Sequence, residues 1–249
     1  MGSNPLNMKV SLVIPALNEE RQLPILLNSI FSCRDLEIEV IVVDGKSEDG
    51  TIRVIDEARG RAPKNVTIKS LVSDKRNVSY QRNMGAEAAK NEIIIFLDAD
   101  TAIHPDNLRR LVELFGAGKY SAASCRFEPL EKDWRAAAYY RILYFFHKTM
   151  EKISPYAVGS CIITRKETIN RCGGFDPTIR INEDANFVSK ARKCGKFKIF
   201  NIPVKVSSRR FKQHGYFRMG MQYVWIFLKR TVFGEIRDDK IKYEFGKYE

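Results

Sequence analysis

The chain has 249 residues, 44% hydrophobic and 29% charged, with five cysteines and a formal net charge of +12. Such a chain buries a full core without staples, which excludes a disulfide-built scaffold or a disordered polymer. Its cysteines form no C-x-x-C pair, which excludes zinc knuckles and thioredoxin chemistry and fits reduced thiols in the cytoplasm.

In chain order, "MGSNPLN" reads as an expression remnant before a natural start at Met8. The apolar stretch from Val10 to Leu17 is a first strand; it is short and ends in Asn18-Glu19-Glu20, so it is no signal peptide. Leu23, Leu26, Leu27 and Ile30 recur at helical spacing. "EIEVIVVD" is a second strand. A second helix follows, with Ser47 or Asp49 as N-cap and Gly60 as its stop. "VTIKSLVS" is a third strand, the segment around Tyr80 to Lys90 a third helix, and "EIIIFLD" a fourth strand. Pro105 opens a helix that Gly116 closes. This βαβα order predicts one α/β sheet, mostly parallel, with helices on both faces.

Beyond Tyr120 the rhythm loosens. "SAASCRF" and "SCIITRK" read as strands around an aromatic helix, "AAAYYRILYFFHKTM". "INEDANFVSKARKCG" is a short helix, "KFKIFNIPVKVSS" an extended return, and the tail from Tyr216 a second aromatic, basic stretch. No apolar run approaches the ~18 residues that span a bilayer.

The fourth strand ends on Asp98 and Asp100. Ligands of parallel sheets bind beyond the strands' carboxyl ends. Residues two apart on a strand face the same way, so Asp-Ala-Asp aims two carboxylates at one point. Two like charges so close call for a cation, and Mn²⁺ or Mg²⁺ with a nucleotide diphosphate would complete the shell. The alternative is a solvated turn. Asp44 ends the second strand, where a base or ribose could meet an acceptor. The first strand carries "PALNEE", with neither the glycines of a dinucleotide fold nor a Walker loop.

With "VVDGKSEDGT", "RNMGAEAAKNE", "GGFDP" and "NED" in the same order, the chain resembles family 2 glycosyltransferases of the GT-A fold from about Lys9 to Arg210. The resemblance implies a nucleoside pocket at Pro15, Asn18 and Glu19, and a base contact at Asp44. It places Arg82 and Asn83 beside the nucleotide, Asp98 and Asp100 on metal and diphosphate, and Glu183 and Asp184 at the acceptor, where a general base is expected. Two positions depart from the family pattern: Gly45 replaces a second acid and Lys46 a glycine.

The implied reaction is inverting, metal-dependent transfer from a nucleoside-diphosphate sugar, UDP ahead of GDP, to a hydroxyl of a glycan or lipid-linked acceptor. A polyprenyl-phosphate acceptor is the alternative. Arg209 and Arg210 could meet the phosphates as forks, or form a solvated basic strand end. Asp184 is the favoured base, although "NEDA" reads equally as a helix start capped by Asn182. His214 is a weaker, extra metal ligand.

The division expected is a nucleotide-sugar-binding half over 8–115, an acceptor half over 116–210, and a basic aromatic tail over 211–249. The tail either lies at an anionic membrane face, making the protein cytoplasmic and peripheral, or packs on the domain. A nucleic-acid-binding module is the rival from another class. The charge allows it, but no RNP, helix-turn-helix or zinc pattern supports it.

Overall fold

The computed structural model describes residues 8–151 and 159–237; the remnant-like opening and residues 238–249 of the tail lie outside them. The first half builds β1 (Lys9–Ala16), α1 (Leu23–Phe31), β2 (Glu37–Asp44), α2 (Thr51–Arg61), β3 (Val66–Val72), α3 (Val78–Ala88) and β4 (Ile93–Leu97). A two-residue β5 (Thr101–Ala102), α4 (Pro105–Ala117), β6 (Tyr120–Pro129), α5 (Trp134–Met150) and β7 (Cys161–Arg165) follow. The chain continues with α6 (Lys166–Cys172), α7 (Glu183–Arg192), β8 (Lys196–Val206), α8 (Arg209–His214) and α9 (Tyr216–Phe233).

The strands form one sheet in the order β3-β2-β1-β4-β7-β6-β8-β5. The β3-β2-β1-β4 block is parallel throughout, which brings four strand ends to one rim. Beyond it β7 runs antiparallel between β4 and β6, and β8 is parallel to β6. The sheet is therefore continuous across residue 116, and the two halves belong to one body.

Alternation along β1 builds both layers. Val10, Leu12 and Ile14 face a core with Leu23 and Leu27 of α1 and Leu111 of α4, while Val13 faces Ala86 of α3 and Phe187 of α7. On that second face α3 lies almost on the strand. A Cβ at Gly85 would sit 2.3 Å from Val13 Cγ1, so only glycine allows the approach.

Several helix ends differ from the sequence reading. α2 starts after Gly50; Asp49 instead accepts from the Thr51 N–H at 2.9 Å, and Ser47 turns back to Asp44. Gly60 and Gly116 lie inside their helices, which run one residue further. Asn182 occupies the N-cap position of α7 in a left-handed conformation (φ 65°), and its side chain makes no capping bond. The short β5, α6 and α8 carry too few residues for a periodic signal.

Candidate active site

At the shared rim, Pro15 near the end of β1 and Glu19 in the loop that follows line a cavity. Asp98 and Asp100 lie just past β4 in a turn, closed by the Thr101 N–H donating to the Asp98 carbonyl at 3.2 Å. Strand alternation is thus not what aims the two acids, yet both line the same cavity. Each has its own arginine. Arg82 Nη2 lies 2.9 Å from Asp98 Oδ1, and Arg209 Nη2 lies 3.3 Å from Asp100 Oδ2. Arg209 also holds Glu19 Oε1 at 2.6 Å.

Burial pushes the Asp100 carboxyl above its usual range, with Arg209 opposing and Asp98 adding to the rise. Burial likewise lifts Glu19 to about 7, against the Arg209 hydrogen bond. Glu19 Oε2 meets no donor among the described residues. A hard divalent ion fits this donor set, because it is commonly held by one or two carboxylates with phosphate oxygens filling the rest of its shell. Among the described residues no three His, Cys, Asp or Glu side chains gather into an all-protein cage. His214 is exposed at the end of α8 and does not line the cavity, so it stands apart from these acids.

Arg82 is almost fully buried and ties the two sides of the site together. Nη1 donates to Glu183 Oε1 at 2.8 Å, Nη2 reaches Asp98, and the guanidinium lies 5.2 Å from the Phe175 ring centre. The fork is therefore committed to carboxylates. Glu183, expected with Asp184 as a catalytic residue at the acceptor side, is held in turn by Arg82.

Asp184, next to it on the first turn of α7, lines the cavity. Burial first, and the Glu183 charge second, lift its carboxyl to about 7, against the opposing pull of Arg82. A carboxylate poised there can take a proton near neutral pH. Helix start and candidate base are thus the same position.

Three residues expected at the nucleotide make hydrogen bonds within the protein. Asn18 (φ 56°) uses Oδ1 to accept from the Glu48 N–H at 2.8 Å, joining the loops after β1 and β2. Asp44 is buried, and both its oxygens accept from Ser47, from the hydroxyl at 2.5 Å and the N–H at 3.0 Å. Asn83 clamps the "GGFDP" loop by donating to the Phe175 carbonyl at 2.7 Å and accepting from its N–H at 2.8 Å. None of the three lines the cavity. Lys46 takes a left-handed φ of 63° where the family pattern has glycine. Arg210 does line the cavity.

The cavity measures about 700 Å³. Residues that sequence reasoning missed form much of its wall. Gln81 bridges the ends of β1 and β2 by donating to the Ala16 and Val43 carbonyls at 3.0 and 2.8 Å. Away from the acids, α5 and α9 wall the space with Tyr139, Leu143, Phe146, Tyr223 and Phe227. Tyr139–Tyr223 and Phe146–Phe227 ring pairs, at 6.4 and 5.4 Å between centres, join the two helices. The aromatic composition of both helices was the available signal; its use as a cavity wall was not.

The segment after α9 returns to the acceptor side. Asn186 donates to Glu235 Oε1 at 3.0 Å, and the Arg180 N–H donates to the Ile236 carbonyl at 3.0 Å. One edge of α9 packs inward through Met219 and Ile226. Phe217, Met221 and Val232 remain exposed.

A sequence profile of Glycosyl transferase family 2 matches residues 11–173. An undecaprenyl-phosphate 4-deoxy-4-formamido-L-arabinose transferase of Aeromonas hydrophila is 37% identical over 111 residues, 42% of this chain and 32% of that protein. A poly(ribitol-phosphate) beta-N-acetylglucosaminyltransferase of Staphylococcus aureus is 30% identical over 105 residues, 41% of this chain and 18% of that protein. The chain spans a third or less of the length of these curated relatives. Among solved structures, a mannosyltransferase from Pyrobaculum calidifontis in complex with GDP-mannose and Mn²⁺ superposes with a TM-score of 0.73 at 21% identity. That match covers 97% of this chain and 68% of the other. The likeness establishes a GT-A fold, with a C-terminal helix following the sheet.

Proposed function

This chain belongs to Glycosyl transferase family 2, and we propose that it moves a sugar from a nucleoside-diphosphate sugar to an acceptor hydroxyl with inversion at the anomeric carbon. The observation that carries the reading is one shared cavity. Asp184, lifted to about 7, lines the same space as Asp98, Asp100 and Arg210.

In this reading residues 8–115 supply most of the donor site and 116–210 the acceptor site. The acceptor oxygen forms its bond to the anomeric carbon while the bond to the diphosphate oxygen breaks, its electron pair leaving with the diphosphate. Asp184 takes the hydroxyl proton. A phosphate acceptor is already ionised and needs no such base, so a carboxyl held near 7 favours a hydroxyl. Arg210 faces the departing diphosphate as a fork of donors, and Arg209 holds Glu19 and Asp100 in place. Asp98 and Asp100 would hold the divalent ion. Mn²⁺ or Mg²⁺, when bound with the nucleotide, supplies charge neutralisation at the leaving group. Glu183 and Arg82 position rather than react.

Family membership sets the nucleic-acid-binding alternative aside. No helix among the described residues is long and apolar enough to cross a membrane. A peripheral stance fits the exposed apolar and basic side chains of α9.

The test is a hydrolysis and transfer screen of sugar nucleotides with Mn²⁺, UDP-sugars first, reading released nucleoside diphosphate. Release from at least one donor, abolished by chelation, supports the reading. No release from any donor, with no binding of UDP or GDP, overturns it.

A further inference from the structure

We infer that the acceptor is a lipid, and that its apolar chain lies in the arm of the cavity between α5 and α9 while its hydroxyl-bearing head reaches Asp184. The inference rests on the glycosyl-transfer reading above and names its acceptor class.

The arm is continuous with the reaction end. Asp184 and Arg210 line the same space as Leu143 and Phe146 of α5 and Phe227 and Leu228 of α9. The wall follows from helical spacing. Positions 139, 140, 142, 143, 146 and 147 form one stripe on α5, and 220, 223, 224, 227 and 228 one stripe on α9. Apart from Gly220 and His147, whose imidazole burial holds neutral with its pKa lowered to about 4, every residue of both stripes is aliphatic or aromatic. A sugar or peptide acceptor needs hydrogen-bond partners along its length. This wall offers few beyond the tyrosine hydroxyls and the His147 ring, so it suits a hydrocarbon.

The way in is also apolar. Ile142 is 70% exposed, Val224 55% and Leu228 54%, yet all three line the cavity. An arm whose mouth is apolar would open to water at a cost unless it faces lipid. The charge agrees: neither α5 nor α9 carries an acidic residue, while Arg135, Arg141, Arg218 and Lys229 are basic. A membrane bearing anionic headgroups complements this rim and delivers the chain end-on. The occupant is therefore a membrane lipid with a hydroxylated head, held by its tail.

Alkyl maltosides of eight, ten and twelve carbons, kept below their micelle concentrations, are the probe, with maltose as the headgroup control. Titrations should show affinity rising about fourfold per methylene, as expected for a chain leaving water. Leu228→Glu and Ile142→Glu should each weaken dodecyl maltoside at least tenfold and flatten the chain-length series. Trp134→Glu and Phe233→Glu, at residues more exposed still but outside the cavity lining, should leave it unchanged. Thermal unfolding midpoints should match wild type, because all four side chains are largely exposed. Affinity independent of chain length overturns the inference, as does equal weakening by all four variants, which would mean general surface coating. UDP with Mn²⁺ is titrated into the same proteins. Loss of nucleotide binding in the wild type would sink the glycosyl-transfer reading while chain-length-dependent binding would still locate the arm.

Discussion

Arg82 donates to Glu183 at 2.8 Å across a separation of 101 residues, joining a helix behind the parallel strands to the first turn of α7. The same guanidinium holds Asp98, so the donor side and the acceptor side of the cavity share one buried cation. Removing it takes from both carboxylates the buried guanidinium they share.

Arg82→Ala should therefore destabilise the fold by on the order of 3–5 kcal/mol, the usual cost of stranding one side of a buried ion pair. Arg82→Lys keeps the charge but not the two-pronged geometry, and should lie between. Chemical denaturation of the three proteins checks this. A loss below about 1 kcal/mol for the alanine variant would mean the pair is well solvated, as exposed pairs are.

Asp184→Asn should cut transfer by on the order of 10²–10⁴ while sugar-nucleotide affinity changes little. The wild-type rate should climb as pH rises through about 7, where Asp184 loses its proton, and the variant should lack that limb. Stability moves the opposite way. Because the folded carboxyl is lifted above its unfolded value, its contribution is full below that value and is lost as pH rises through about 7. Wild type should thus lose stability relative to Asp184→Asn between about pH 4 and 7. Using the difference cancels Glu19, which titrates in the same window. Wild-type transfer by the variant would move the reading to a phosphate acceptor.

Calorimetry with UDP and Mn²⁺ should show metal-dependent binding that Asp100→Ala removes. The half-buried carboxylate is one of two that can complete an ion's shell with the diphosphate. UDP binding in chelator should be similar in the two proteins. Equal affinity with Mn²⁺ present would take Asp100 out of any metal role.

Gly85→Ala should destabilise despite alanine's better helix propensity. The gain is about 1 kcal/mol, whereas a Cβ 2.3 Å from Val13 Cγ1 forces α3 off the sheet, and overpacking of that kind costs about 1–3 kcal/mol. The expected net loss is about 1 kcal/mol, read as a lower midpoint in urea. A stabilised variant would show that α3 can lift away freely.

Sedimentation with vesicles rich in anionic phospholipid should carry the wild type down. Arg218→Glu with Lys229→Glu should release it, and added salt should do the same. A wild type that stays in the supernatant at low salt would make α9 a packing element alone, in keeping with its buried Met219 and Ile226.

The sequence by itself determined the parallel half of the fold, because each strand there is a run of apolar residues and each helix an amphipathic stripe. Both are local patterns that need no partner to be read. It also placed Asp98 and Asp100 just after a strand, and the family resemblance added Asp184; the fold brings all three to the lining of one cavity. Only the tertiary structure showed which partners inside the protein the neighbouring residues hold. Asp44 is bound by Ser47, Asn83 by the Phe175 backbone and Glu183 by Arg82. The Glu183 and Asn83 partners lie about a hundred residues away in the chain, beyond any local pattern. The elevated Asp184 carboxyl depends on burial and on the adjacent Glu183 charge outweighing the pull of Arg82 from α3. The aromatic helices gave the same local signal whether they faced solvent, core or cavity. What made them a wall was their meeting across the Phe146–Phe227 contact, a distance set by the packing of α9 against the body rather than by either helix alone.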